Sequence, residues 1–280
     1  MSADDPKITA GQAEAAGREL DALHEALAAA IDANGLEPHP GSPAAADVRT
    51  YGPQAAGAVF TVAFDLAAHA ADHASAIRQL LVEPAHPRAA HTVARALYEG
   101  DGLSRWLLSP EDGRARLEKV FTLQIHDLRE ELKVALDSKS TLDPEEYRVR
   151  LRQVGADANQ ARLGLKNAKD GLPAYCGTPF PQSSDLPTDD VLPLWRFMSG
   201  IAHARPWAAR TLSSFSPPNT TSATTAYFLC LMAAHCLAAC VWRLAVYGGW
   251  EATLRPLLED HLGLPGMAPE AAFWRTPRSS

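Results

Sequence analysis

The sequence predicts an all-α fold, a helical bundle of seven to eight helices. Three observations predict it. Alanine and leucine, two strong helix formers, carry much of the apolar content, whereas aromatic residues make up only 7% of the chain. Apolar residues recur three and four positions apart over long segments, which is the period of one helix face. No segment shows the alternation of apolar and polar residues that is typical of a half-buried strand.

The first element is an alanine-rich helix that ends at an Asn-Gly pair. Its apolar positions follow helical spacing: Leu20, Leu23, Leu27 and Ile31. Residues 36–53 are rich in proline and glycine, so they predict a linker. We therefore expect an N-terminal helix or appendage over residues 1–40, a helical bundle over residues 57–262 and a flexible tail over residues 263–280.

Two helical hairpins are predicted next. Residues 55–83 form a long apolar helix that stops at Pro84. Residues 87–110 follow after a short turn and are bounded by prolines, so the two helices should pack antiparallel. Residues 111–138 and 141–169 are charged, amphipathic and similar in length, and they predict a second, solvent-facing hairpin.

The last part of the chain begins with a long connection. Residues 170–187 contain four prolines and predict either a functional lid or a disordered loop. A short helix from about residue 190 to 204 is expected to end before Pro206. An apolar helix from Ala223 to Tyr247 and a short helix over residues 250–263 complete the bundle.

Charge and cysteine content limit the classes of function. A net charge of −7 provides no general basic surface for nucleic acid, so any contact with RNA or DNA has to be local. The acidic, polar N-terminus is unlike a secretory signal. The four cysteines show no spacing typical of secreted proteins: Cys176, Cys230, Cys236 and Cys240. We expect a cytoplasmic protein.

The segment Ala223 to Trp242 admits two interpretations. Its twenty residues are enough to cross a bilayer. However, it is rich in alanine, cysteine and threonine and carries His235 near its centre. A helix that is buried on all sides inside a bundle has the same composition. We favour a core helix and expect no membrane as a partner.

Two histidines at HxxxH spacing form the first candidate site. His69 and His73 lie on one face of the predicted helix with Asp72. Such a pair can chelate zinc, but no third ligand is evident. The alternative is a polar edge that hydrogen-bonds to a neighbouring helix or to a ligand. We favour this alternative and assign no metal or other cofactor to the chain.

An arginine and a glutamate form the second candidate. Arg95 and Glu99 are four residues apart, and apolar residues surround them in the sequence. They are either a structural ion pair or part of a functional site, because buried charge pairs often mark specificity rather than stability.

The third candidate carries the most chemistry. Arg196, Ser199 and His203 lie on one stripe of a short, otherwise apolar helix. Histidine transfers protons near neutral pH, and arginine can bind a phosphate through its planar fork. Together they could cleave a phosphodiester without a metal, with a ribose 2′-hydroxyl as the nucleophile. In the alternative, Arg196 reaches solvent and His203 caps the helix C-terminus.

Several segments also carry a resemblance to known proteins: ADHASAIRQLL, VARALYEGDGLSRWLLSP, RFMSGIAHARPW and YGGWE. Their order is similar to that of actinobacterial proteins of unknown function. Those proteins in turn resemble the HEPN superfamily, all-helical domains found in toxin and phage-defence systems. HEPN ribonucleases share an arginine and a histidine with four to six residues between them, and here six residues lie between Arg196 and His203.

The resemblance implies an up-and-down helical core and a metal-independent endoribonuclease that acts as a toxin or defence effector. It also implies a site formed by two copies across a homodimer interface, with Arg95 and Glu99 as supporting groups, and an antitoxin-like protein as a candidate partner. A second hypothesis is a non-catalytic helical module that binds a nucleotide, a small ligand or a protein, with Asp72 and His73 among its contacts. A helical metalloprotein is the third.

Overall fold

The structure is a computed structural model, and it describes residues 8–34, 37–82, 85–137, 140–165, 171–174, 191–215 and 222–262. These residues form an all-α bundle, which confirms the predicted fold class. The helices are, in order, α1 (Ala10–Asn34), α2 (Pro43–Tyr51), α3 (Pro53–Leu80), α4 (Pro87–Leu108), α5 (Gly113–Ala135), α6 (Pro144–Gln160), α7 (Val191–Ala202), α8 (Pro206–Phe215), α9 (Ala223–Gly248) and α10 (Glu251–Leu262).

The described residues therefore contain ten helices, more than the seven to eight that the sequence predicted. One additional helix, α2, lies inside the segment expected to be a linker. Ser42 is its N-cap, and its Oγ accepts a hydrogen bond from the backbone N–H of Ala45 at 3.1 Å. Pro43 occupies the first turn, where a proline costs no hydrogen bond. The proline and glycine of this segment thus bound a helix instead of preventing one.

The other additional helix is α8, which begins at Pro206. The α7 helix ends in a Schellman motif: the N–H of Arg205 donates to Gly200 O at 2.8 Å, and that of Ala204 donates to Ile201 O at 2.9 Å. Ala204 has a φ of 51°, the left-handed conformation that this motif requires. The proline that was expected only to end a helix also starts the next one.

The core is organised around α9, which packs against α1, α3 and α4. It is the one described helix that is long and apolar enough to cross a membrane, and 67% of its most apolar window is buried inside the bundle. Three of the four cysteines lie here as buried thiols: Cys230, Cys236 and Cys240. The packing is that of a central core helix, the interpretation favoured from composition.

The N-terminal helix is part of this core. Leu20, Leu23 and Leu27 of α1 are almost completely buried and belong to the main hydrophobic cluster. The helix contacts α9, α10 and α3. Within residues 1–40, the part that the structure describes therefore packs on the bundle.

The α5 and α6 helices pack against each other and enclose a small hydrophobic cluster of their own. A buried ion pair joins this hairpin to the rest. Arg116 of α5 donates two hydrogen bonds of 2.9 Å to the carboxylate of Asp47 on α2, and the hydroxyl of Tyr247 on α9 donates to the same carboxylate at 3.0 Å. Three helices are thereby held at one point.

Some expectations fall outside the described residues. These are the fate of most of the connection 170–187, the tail 263–280 and the thiol of Cys176.

Candidate functional site

The candidate site lies where α7 packs on α4. Met198 is fully buried, and the ring of Phe197 meets that of His91 on α4 edge to face, with centroids 5.5 Å apart. Nδ1 of His91 donates a hydrogen bond to Pro87 O at 2.7 Å, because a carbonyl oxygen can only accept. These contacts place the C-terminal end of α7 over the middle of α4.

Three of the predicted site residues meet at this junction. Nη1 of Arg95 lies 3.1 Å from Nε2 of His203, and Nε of the same guanidinium donates to Oε1 of Glu99 at 2.9 Å. The Arg95 side chain is 21% exposed and that of Glu99 is 43% exposed. The pair was predicted to be either structural or functional, and the structure connects it to the candidate catalytic histidine. We call Arg95, Glu99 and His203 the α4–α7 cluster.

The hydrogen bond with Arg95 defines which nitrogen of the His203 imidazole accepts. Arginine has donors and no acceptor, so Nε2 of His203 must accept and its proton sits on Nδ1. This bond exists only with a neutral imidazole, because a doubly protonated ring has no lone pair to offer. The imidazole is exposed, so a ligand in solution can reach it.

Arg196 and Ser199 share the stripe with His203, as predicted. The helix continues to this point, since the N–H of His203 donates to Ser199 O at 3.0 Å. Arg196 is exposed, and its guanidinium has no hydrogen bond or ion pair among the described residues. The exposure of Arg196 and the C-cap position of His203 are both in line with the alternative interpretation, but the His203 side chain contacts α4. A contact of Arg196 with a substrate stays a prediction.

The charge of the sequence segment that contains α7 differs from that of the whole chain. From Val191 to Trp250 the sequence holds four arginines and no acidic residue or lysine, whereas the full chain has a net charge of −7. Arg196, Arg205 and Arg210 of this stretch are all exposed. Whole-chain composition concealed this positive segment, which a running charge along the sequence would have found.

The second candidate site, on α3, has a different character. The rings of His69 and His73 lie 3.8 Å apart between centroids, and Nδ1 of His73 is 3.0 Å from His69 O and 3.8 Å from Asp72 Oδ2. Burial and the neighbouring His73 lower the pKa of His69, and Asp72 opposes them. Among the described residues no group of three or more His, Cys, Asp or Glu side chains could hold a metal ion.

A buried polar cluster between α4 and α9 was missed. Nη1 of Arg243 donates to Oδ1 of Asp101 at 2.6 Å, and the Cys240 thiol lies 3.9 Å from the same oxygen. Burial, and then the Asp101 charge, raise the pKa of Cys240 to about 12, which makes the thiol unreactive. The available signal was Arg243, the only Asp, Glu, Lys or Arg in α9, because a cation on a core helix needs an acidic partner.

No protein-family model matches the chain, and no curated protein or solved structure is significantly similar to it. The relationship to HEPN proteins therefore stays a prediction, supported by the sequence motif alone.

Proposed function

We propose that this protein is a HEPN-like, metal-independent endoribonuclease of the cytoplasm that acts as a toxin or defence effector. The observation that carries the proposal is the hydrogen bond between Arg95 and His203, which connects two helices at the surface. It presents a neutral imidazole beside a guanidinium, the two groups that phosphodiester cleavage by a 2′-hydroxyl requires.

His203 is the general base in this proposal. It removes the proton from the ribose 2′-hydroxyl, the 2′-oxygen bonds to phosphorus, and the bond from phosphorus to the 5′-oxygen breaks. The products are a 2′,3′-cyclic phosphate and a 5′-hydroxyl end. Arg196 binds the phosphate and the negative charge that develops on it.

Arg95 gates the base. In the resting protein its guanidinium occupies the lone pair of Nε2. A substrate phosphate is a stronger acceptor than an imidazole, so it draws Arg95 away and frees that lone pair. Glu99 retains the guanidinium near the site during this exchange, because it binds Nε rather than Nη1.

A second copy of the chain completes the proposed reaction. In-line displacement needs a proton donor on the side of the leaving 5′-oxygen, opposite the base. Two copies that face each other across a two-fold axis bring two imidazoles to one phosphate, and the imidazole of the second copy, released from Arg95 and protonated, donates to the leaving 5′-oxygen. We therefore propose a homodimer with the α4–α7 clusters at its interface, and a protein that covers this surface as an antitoxin.

The test is cleavage of structured and transfer RNA by purified protein in EDTA. We expect products with cyclic-phosphate ends and loss of activity in His203→Ala. A DNA oligonucleotide of the same sequence should not be cleaved, because it lacks the 2′-hydroxyl. The matched control is His126→Ala, a partly exposed histidine on α5, which should retain activity. Full activity in His203→Ala, or an intact substrate with the unmodified protein, eliminates the proposal.

A non-catalytic module that binds a nucleotide or small ligand is the second candidate. The α4–α7 cluster together with the net charge of −7 favours it, because polar side chains at the surface can bind a ligand without a general basic surface for RNA. This candidate predicts a thermal shift with nucleoside phosphates that Arg95→Gln abolishes and no turnover of RNA. Unchanged melting across nucleoside mono-, di- and triphosphates counts against it.

A further inference from the structure

Trp207 is an exposed aromatic side chain directly beyond the proposed site. It is 47% exposed, which is unusual for a tryptophan in a helix that packs on the bundle. One edge of its ring packs on Gly200 of α7. The approach is so close that a β-carbon added to Gly200 would lie 2.7 Å from Cζ2 of Trp207 and 3.3 Å from Cε2. The Phe197 ring lies 6.3 Å away between centroids. The indole therefore packs on α7 along one edge, while nearly half of the surface of Trp207 faces solvent.

The backbone under Trp207 is fixed. The Schellman motif at the end of α7 and the ring of Pro206 leave little freedom between His203 and Trp207. Three residues lie between them, so their α-carbons, four chain steps apart, are separated by at most about 14 Å. A strand whose phosphate occupies the α4–α7 cluster therefore reaches the indole within a few nucleotides.

The charge around the indole fits a polyanion. Arg205 precedes Trp207 by two residues and Arg210 follows it by three, and both are exposed. Along the sequence, no acidic residue lies between Val191 and Trp250. An exposed aromatic ring flanked by cations is the combination with which proteins bind single-stranded nucleic acid, because the ring stacks on a base and the cations bind phosphates.

We propose that Trp207 is a stacking platform for an unpaired base of single-stranded RNA, with Arg205 and Arg210 bound to the adjoining phosphates. The inference rests on the proposed function for the choice of RNA, but it requires binding and not cleavage. It gives the enzyme a preference for unpaired segments, since a base within a duplex cannot lie on the indole.

The test measures binding in the His203→Ala protein, so that the strand stays intact. Fluorescence anisotropy of a labelled single-stranded RNA 12-mer gives the dissociation constant. We expect Trp207→Ala to weaken binding roughly 10-fold and Trp207→Phe to stay within about 3-fold of the parent, because phenylalanine also stacks. The matched control is Phe228→Ala, which removes an exposed aromatic ring on α9 and should change nothing.

The salt dependence of RNA binding distinguishes the contribution of the Trp207 ring from that of the arginines. Arg210→Gln should reduce the magnitude of the negative slope of the logarithm of the binding constant against the logarithm of the salt concentration by about 0.7. This is the value for one phosphate contact on a single strand. Trp207→Ala should leave the slope unchanged because it removes no charge. Circular dichroism and the melting temperature establish that each variant is folded.

The outcomes are separable from those of the proposed function. RNA that binds through Trp207 but is never cut by the unmodified protein overturns the ribonuclease and retains the platform. Cleavage with the same KM in Trp207→Ala overturns the platform and retains the ribonuclease. Absence of RNA binding, equal weakening in Trp207→Phe and Trp207→Ala, or a change of oligomeric state in Trp207→Ala also overturns it; the last result assigns the indole to a protein interface.

Discussion

Arg95 and His203 share a hydrogen bond of 3.1 Å although 108 positions separate them in the chain. The bond joins the middle of α4 to the end of α7, and Glu99 fixes the guanidinium from the other side at 2.9 Å. A planar fork with donors in two directions is needed to satisfy both partners at once. The arrangement therefore depends on arginine and not on positive charge alone.

Replacement of Arg95 by lysine tests this dependence. A lysine ammonium is a compact point charge and cannot reproduce the two-sided geometry, so we expect Arg95→Lys to lower kcat for RNA cleavage at least about 100-fold. The measurement is single-turnover kinetics in EDTA. Arg88→Lys, at an exposed position in the first turn of the same helix, is the control and should cut RNA normally. Equal rates for both variants refute the role of Arg95.

The buried pair of Asp47 and Arg116 should be important for stability. Asp47→Asn leaves the Arg116 guanidinium buried without a counter-charge, which costs about 3–5 kcal/mol of the free energy of unfolding. Urea denaturation measures it. In contrast, Glu14→Gln breaks an exposed pair with Arg18 and should change stability by less than about 0.5 kcal/mol. Similar losses in the two variants would show that burial does not set the cost.

Two glycine-to-alanine substitutions should have opposite effects. A β-carbon at Gly113 would overlap the carboxylate of Asp47, so Gly113→Ala disrupts the ion pair and lowers the melting temperature. Gly57 lies inside α3 with open space around it, and alanine there should stabilise the helix by about 0.5–1 kcal/mol. Thermal unfolding followed by circular dichroism gives both values, and a shift of the same sign for the two contradicts the packing argument.

The turn between α7 and α8 contains a strained residue. Ala204 adopts a φ of 51°, which glycine adopts without steric cost, so Ala204→Gly should raise stability by about 0.5–1 kcal/mol. Ala202→Gly, at the last residue of α7, should lower it by about 0.5 kcal/mol. Chemical denaturation of the two single variants distinguishes them. Destabilisation by both would mean that the turn does not favour glycine.

Stability should fall as the pH drops below about 6.5, and His91 should contribute to this loss. Burial lowers the pKa of His91, while its hydrogen bond with Pro87 acts in the opposite direction. The unfolded chain therefore binds more protons than the folded one as the pH falls from 6.5 towards the lowered value, and the free energy of unfolding decreases. Burial also lowers the pKa of His235, which adds to the same trend.

We expect His91→Gln to flatten the pH dependence of urea unfolding between pH 7 and 5. Glutamine can still donate to Pro87 O but does not titrate. If the variant and the parent lose stability equally over this range, His91 is not a source of the dependence.

The sequence predicted the helical class because helical periodicity is a local property. The prediction of helix boundaries failed at proline, because this residue can end one helix or begin another. Pro43 and Pro206 interrupt one segment and begin the next helix, and a pattern search sees only the interruption. Three of the proposed site residues, Arg95, Glu99 and His203, do meet in the structure. The stripe argument paired His203 with Arg196, but the bond that forms crosses to another helix, which no spacing along α7 could reveal.

The buried ion pairs could not be predicted from the sequence either, because each one joins two helices that are distant in the chain. Asp101 and Arg243 lie 142 positions apart, and Asp47 and Arg116 lie 69 apart. Each charge looks like an ordinary surface residue until the partner helix is placed. The exception is Arg243: because it lies in an otherwise apolar helix, the sequence indicates that it needs an acidic partner.

The packing of α1 on α9 has a consequence for how the protein is made. Ala223, where α9 begins, is synthesised more than two hundred residues after Ala10 of α1, an interval of roughly 10–40 s of translation. Until α9 has left the ribosome, the leucines of α1 lack their principal partner helix, and only α3 is available to them. Every new copy therefore spends that interval with part of its N-terminal apolar face exposed, and we expect its yield in cells to follow the supply of chaperones that bind nascent chains.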